Sequence, residues 1–217
     1  LEQLARIPNT FFRGDSIKKA LLEHKKEINY FRKELGYSRE ACTNWHRKGL
    51  LPQQILLSLM KQGISIGNDV YFSYNNSITK IPASIGITGN FLTFVGLWIA
   101  DGCYDKNSVI VSCNDAEDRE TFDNVAKVFG LRRKMHSDGV SYMINSKPFK
   151  ILLKECLNLH GNAYTKRIPE WVYNLSKQQI AHVLKGIFSG DGCATDKEIA
   201  IPLSSIILSI IILSDLF

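Results

Sequence analysis

The sequence predicts an α+β protein in which a helical N-terminal block precedes a mixed helix–strand region. Three observations carry that expectation. Residues 14–64 are rich in Lys, Arg, Glu and Leu at helical spacing, and a helix-turn-helix pattern lies inside them. From Phe91 onward, helical stretches alternate with short β-rich runs. A segment beginning at Phe94 recurs at Leu184.

Composition bounds the function before any motif does. The 217 residues are 45% hydrophobic and 22% charged, which excludes wholesale disorder. Residues 1–90 hold 13 basic and 7 acidic side chains, whereas residues 91–217 hold 14 of each. The net charge of +6 therefore sits at the N-terminal end and points to a polyanionic partner. Five cysteines form no C-x-x-C pair and have no His at ligand spacing, so neither a disulfide framework nor a zinc site is legible, and a reducing compartment fits best. Leu1 begins no basic-then-apolar leader, and Pro202 and four serines interrupt the apolar stretch at 201–217. A cytoplasmic protein with no membrane partner is the expectation.

In the first block, Ile28, Phe31 and Leu35 predict one apolar helix face. Gly36 suits a turn that needs φ > 0, since it carries no Cβ. Tyr37 and Ser38 supply a hydrophobic staple and an N-cap for a second helix, with Cys42 and Trp45 turned inward. Arg39, Thr43, Asn44 and Arg47 then share an outer face, at i, i+4, i+5 and i+8. Those types suit nucleic acid, because Arg pairs with guanine or phosphate and Asn with adenine. A helical bundle with a solvated charged face is the alternative. The stretch 35–52 resembles the phage-repressor (Cro-like) helix-turn-helix, and departs from it at Arg32, where that family keeps a small residue. Residues 65–90, with Gly67, Asn75, Asn76, Pro82 and Gly86, predict a connector of short strands and turns.

The second block opens with a helix over 90–101, followed by a strand over 108–113. Asn114 or Asp115 caps an acidic helix reaching Phe129. Asp115, Glu117, Asp118, Glu120 and Asp123 fit a helix N-terminus better than a metal cluster. Two strands flank the Asp-Gly turn at 137–139, and a helix over 148–160 ends at Gly161.

Phe94-Val-Gly-Leu-Trp-Ile-Ala-Asp-Gly102 and Leu184-Lys-Gly-Ile-Phe-Ser-Gly-Asp-Gly192 align position by position. Gly96 and Ala100 lie four apart, as do Gly186 and Gly190, so each helix offers a smooth stripe over which another backbone can approach closely. Packing through these stripes makes Asp101 and Asp191 neighbours. An Asp at a helix C-terminus opposes the helix dipole, at ~0.3–1 kcal/mol, and two facing carboxylates repel. A divalent cation resolves both conflicts, and hard oxygen ligands in a basic groove suit Mg²⁺ completed by water and phosphate. A metal so placed can support phosphodiester hydrolysis.

The two segments resemble the LAGLIDADG homing endonucleases of the dodecapeptide type, which occur inside inteins and as free-standing proteins. The similarity spans about residues 91–195 and places the endonuclease domain at 91–217, with a second repeat from about 180. It implies an αββαββ-type core whose sheets form a saddle over double-stranded DNA, cleaved with Mg²⁺ held by catalytic Asp101 and Asp191. Residues 162–171 resemble that family's third block, which makes Lys166 the catalytic lysine. The implied saddle draws Arg132, Arg133 and Lys134 to the DNA.

Two departures qualify the resemblance. Neither Leu1 nor Leu216-Phe217 offers the residues of protein splicing, so self-splicing is not expected. Only 26 residues follow Asp191, against a first repeat that runs on to His160, so the second repeat reads as incomplete. The chain is therefore expected to cleave poorly alone and to associate, as a homodimer through the Gly96–Ala100 stripe or with a complementing fragment. A non-catalytic DNA-binding remnant or regulator is the alternative function, and an RNA maturase a third.

Overall fold

Thr10–Arg13 alternates buried and half-exposed side chains, the period of a strand packed on one face, and forms β1. The computed structural model describes residues 7, 9–75, 77, 79–162, 164–191, 193–194 and 199–200, in two compact units, Leu1–Ile85 and Gly86–Phe217.

In the first unit β1 leads into α1 (Asp15–Glu23), α2 (Lys25–Glu34), α3 (Arg39–Lys48), β2 (Leu50–Pro52), α4 (Gln53–Lys61), β3 (Tyr71–Tyr74) and β4 (Lys80–Pro82). The strands form one antiparallel sheet in the order β2-β1-β3-β4. Phe12 and Phe72, opposite each other in that sheet, pack at 5.8 Å between ring centroids. Ile17, Ile28, Leu51, Ile55 and Leu59 complete a core without solvent access. The segment 65–90 is thus more than a connector, because two of its strands are hydrogen-bonded into the sheet of the preceding block. The Asp69 carboxylate also caps α1, accepting from Asp15 N at 2.7 Å and Ser16 N at 3.0 Å.

The α2–α3 turn follows the sequence in most details. Gly36 has φ 73°, Ser38 Oγ accepts from Ala41 N at 3.1 Å, and Tyr37 meets Trp45 edge-on at 5.0 Å. The inner face of α2 differs, because Leu35 is exposed and Arg32 is buried with Ile28. Arg32 donates to Tyr37 O at 2.7 Å and to Asn29 Oδ1 at 3.2 Å, so its guanidinium closes the turn where a small residue was expected. Ser38→Ala is expected to cost ~1 kcal/mol of first-unit stability, read by chemical denaturation. An unchanged midpoint would show the cap to be idle.

The second unit starts with α5 (Gly89–Asp101), in which every residue from Phe91 to Ala100 is buried. β5 (Gly102–Tyr104), β6 (Ser108–Ser112), β7 (Arg133–Met135) and β8 (Ser141–Asn145) form an antiparallel sheet in the order β5-β6-β8-β7. Between β6 and β7 lies α6 (Ala116–Val128), N-capped by Asp115 through Asp118 N at 2.8 Å. The β7–β8 turn is held by Asp138, whose Oδ1 accepts from Val140 N and Ser141 N, and Gly139 takes φ 74°. The helix expected over 148–160 is shorter: α7 (Lys147–Ile151) widens into a π-helical turn at Leu152–Cys156 and ends there. Asn158, at φ 55°, turns the chain away. A 3-10 turn at Glu170–Asn174 precedes α8 (Lys177–Asp191), and β9 (Cys193–Ala194) pairs with β10 (Ile199–Ala200).

The architecture is α+β with antiparallel sheets. Among the described residues no helix is long and apolar enough to cross a membrane. Expectations for Gly192 and for the apolar stretch at 201–217, with Pro202, lie outside the described residues.

Candidate active site

Two helices that touch backbone to backbone set the geometry. A Cβ added to Gly96 would lie 2.9 Å from Gly186 Cα, and one added to Gly186 would lie 2.9 Å from Gly96 Cα. The same position at Gly186 is 2.7 Å from Leu97 N, so no side chain fits on either helix at the crossing. A Cβ at Gly190 would touch the Ala100 side chain and lie 3.6 Å from Asp101 Oδ2. The close approach thus extends to the C-terminal ends of both helices. There α5 and α8 end in Asp101 and Asp191, and α8 occupies the Gly96–Ala100 stripe. Pairing of two chains through that stripe would therefore require α8 to be displaced.

Electrostatics record the proximity. Asp101 has its carboxyl pushed above the ordinary carboxylate range, first by desolvation and then by the charge of Asp191, while Lys166 opposes the shift. Lys166 is only 9% exposed and donates from Nζ to Ala100 O at 2.7 Å. Its ammonium thereby caps a carbonyl that the end of α5 leaves free. Burial pushes the Lys166 amine below its usual value, against the opposing pull of Asp101 and Asp191. The structure thus brings together the three residues singled out in the sequence as catalytic.

Three further residues seat Lys166, and the sequence does not announce them. The Trp98 ring lies 5.2 Å from Lys166 Nζ and packs on Tyr104 at 4.8 Å. The Tyr104 hydroxyl donates to Leu159 O at 3.0 Å, which ties β5 to the segment that leads to Lys166. Asn162 Oδ1 accepts from Tyr164 N and Thr165 Oγ1, and Asn162 O accepts from Lys166 N at 3.1 Å. Asn162 as an Asx-turn former four residues before the lysine is the one signal of this seat available in the sequence.

The acidic helix anchors α8. Lys185 pairs with Glu117 and Ser189 Oγ donates to Asp118 Oδ1 at 2.7 Å, while Asp123 of the same helix pairs with Arg133 of β7. Asp118 is buried, and burial raises its carboxyl above the ordinary range against the lowering effect of the Ser189 hydroxyl and nearby main-chain amides. A raised folded-state value means that the folded protein holds this proton more tightly than the unfolded chain. Stability from this group therefore falls as pH rises through the ordinary carboxylate value to the raised one. Asp118→Asn keeps the Ser189 bond and should flatten that fall, raising the melting temperature at pH 7 relative to wild type. Parallel pH–stability curves for the two proteins would refute this account.

The basic residues divide by geometry. In the first unit Arg39, Thr43 and Arg47 are exposed on α3, and Arg47 Nη2 donates to the half-buried Asn44 Oδ1 at 2.8 Å. In the second unit Arg132, Arg133 and Lys134 are all exposed at the sheet edge. Strand alternation then separates two of them. Arg133 shares a row with Val109 and Ile144, lies over the Tyr142 ring and pairs with Asp123 of α6, so it faces the helix layer. Lys134 shares a row with Met143 and Ile110 on the other face.

The donor set fits a hard divalent cation that keeps several waters. Two neighbouring carboxylates repel each other here, and a cation between them removes the conflict. Among the described residues no group of three or more His, Cys, Asp or Glu side chains converges.

No family model matches the chain. It is 32% identical over 157 residues to the DNA polymerase II large subunit of Thermococcus kodakarensis, a stretch covering 68% of this chain and 9% of that one. It is 27% identical over 135 residues to the DNA-directed RNA polymerase subunit Rpo1C of Methanocaldococcus jannaschii, covering 58% and 16%. It is 26% identical over 136 residues to the ATP-dependent Clp protease proteolytic subunit of Chlamydomonas moewusii, covering 58% and 13%. The chain thus matches only 9–16% of the length of these relatives.

Proposed function

We propose that this chain is a site-specific double-strand DNA endonuclease of the LAGLIDADG dodecapeptide type, with a helix-turn-helix unit that adds DNA contacts. The observation that carries the reading is the convergence of Asp101, Asp191 and Lys166 where α5 and α8 end. Asp101 and Asp191 would hold Mg²⁺ between them. When bound, that ion supplies charge neutralisation at the phosphate and an acidified water. Lys166, whose amine is pushed toward its neutral form, can accept a proton from the attacking water or, as ammonium, hold developing charge on the phosphate.

The relatives support the same reading from another direction. Similar stretches of 157, 135 and 136 residues occur in proteins named for DNA synthesis, RNA synthesis and proteolysis. A segment common to such different activities fits an inserted mobile element better than a working part of any one of them.

The test is cleavage, with Mg²⁺, of a DNA library that includes the joined sequences flanking this coding segment. A single defined cut is expected, and a chain that neither binds nor cuts any duplex overturns the reading. Binding without cleavage in Mg²⁺ or Mn²⁺ would instead favour a non-catalytic DNA-binding protein. That second reading has its own observation, since Lys166 Nζ is already engaged as a helix cap.

The first unit supplies a separate expectation. Asn44→Ala removes a base-reading amide and frees Arg47, so sequence preference should relax about tenfold at one base pair. Non-specific affinity and its salt slope should barely change, because phosphate contacts set both. Equal weakening on all sequences would show that Asn44 reads no base.

A further inference from the structure

Among the described residues, the second unit's sheet has one face against helices and one without them. Val109, Val111, Tyr142 and Ile144 are buried on the helix side, where Tyr142 meets Phe122 of α6 at 5.9 Å. On the other face Cys103, Ile110, Met143 and Lys134 stand in one unbroken row across all four strands. Ile110 and Met143 are half-exposed, although they sit on the two central strands. Beside this row lie Ser112 and Ser141, 3.3 Å apart, and on its other side Asn145 opposite Ser108.

None of the four strands carries an acidic residue, and the row ends in Lys134 with Arg132 exposed just before it. That charge suits a polyanion. The apolar centre is the unusual part, because binding phosphate needs only charge. In a major groove the one apolar group on a base edge is the thymine C5-methyl, and the partner that matches adenine is an amide such as Asn145.

We infer that this face reads A·T pairs, with Ile110 and Met143 packed on thymine methyl groups. The inference rests on the proposed DNA-binding function and adds which bases the sheet selects. Guanine, which pairs best with Arg or Lys, is left to the edge at Lys134.

The experiment selects bound duplexes from a randomised pool with the full chain, then remakes the best duplex with uracil in place of thymine. Uracil deletes only the methyl, so no protein variant is needed. Affinity should fall about fourfold for each buried methyl that the exchange removes. Met143→Gln and Ile110→Thr should erase that penalty, whereas Asn44→Ala in the other unit should leave it intact. Tight binding that is indifferent to uracil overturns this inference and leaves the DNA-binding reading standing. A uracil penalty that survives both sheet variants also overturns it, by placing the thymine methyls against the first unit. A chain that retains no duplex even at low salt sinks both.

Discussion

Gly186→Val should destabilise the second unit by about 3 kcal/mol or more and lower its melting temperature by ~10 °C. The new atoms would meet Leu97 N and Gly96 Cα, which are main chain and cannot rotate aside. The only relief is separation of α5 from α8, which opens voids along a helix buried over ten consecutive residues. Against a total stability of ~5–15 kcal/mol this is a large fraction. Gly86→Ala serves as the control, since nothing lies within 4 Å of its added Cβ. Equal melting of the two variants would mean that the crossing is looser than described.

Asp101→Asn should reduce cleavage by ~10³-fold or more while changing duplex affinity by no more than a few fold. Removing one carboxylate from a two-carboxylate site forfeits several kcal/mol of metal-dependent stabilisation, and ~4 kcal/mol corresponds to that factor. Binding survives because groove and phosphate contacts, not the metal pair, carry most of the affinity. The same substitution also relieves the repulsion from Asp191, so the variant should melt higher than wild type without Mg²⁺. Addition of Mg²⁺ should stabilise the wild type and leave the variant unchanged. An active variant, or one stabilised equally by Mg²⁺, would remove Asp101 from the site.

Local chemistry made parts of this structure legible in advance. Ser38 caps α3 because a serine hydroxyl reaches the third amide beyond it, and Asp138-Gly139 turns because its geometry is fixed within a few residues. The four small positions announced the crossing because two small residues four apart clear one side of a helix for another backbone. Pairings set by distant partners were not legible. Thr10 finds Tyr74 in the sheet across more than sixty residues, which is why 65–90 reads as a connector. Arg133 and Lys134 look alike in sequence, but register assigns one to the helix layer and the other to the open face. Lys166 was recognisable by its neighbours in sequence, whereas its bond to Ala100 O depends on a fold that returns 66 residues later. Arg32 defied expectation because a long side chain with five donors can close a turn that a small residue would merely permit.

The α5–α8 contact distributes mutational freedom unevenly along the second unit. Because main chain meets main chain at Gly96 and Gly186, the join specifies smallness at a few positions and little about which larger side chains surround them. Substitutions elsewhere can accumulate, or be exchanged between lineages, without moving Asp101 from Asp191. A scaffold with that tolerance can hold the ends of α5 and α8 fixed while residues on its surface change. Its history should then show drift nearly everywhere except along one narrow seam.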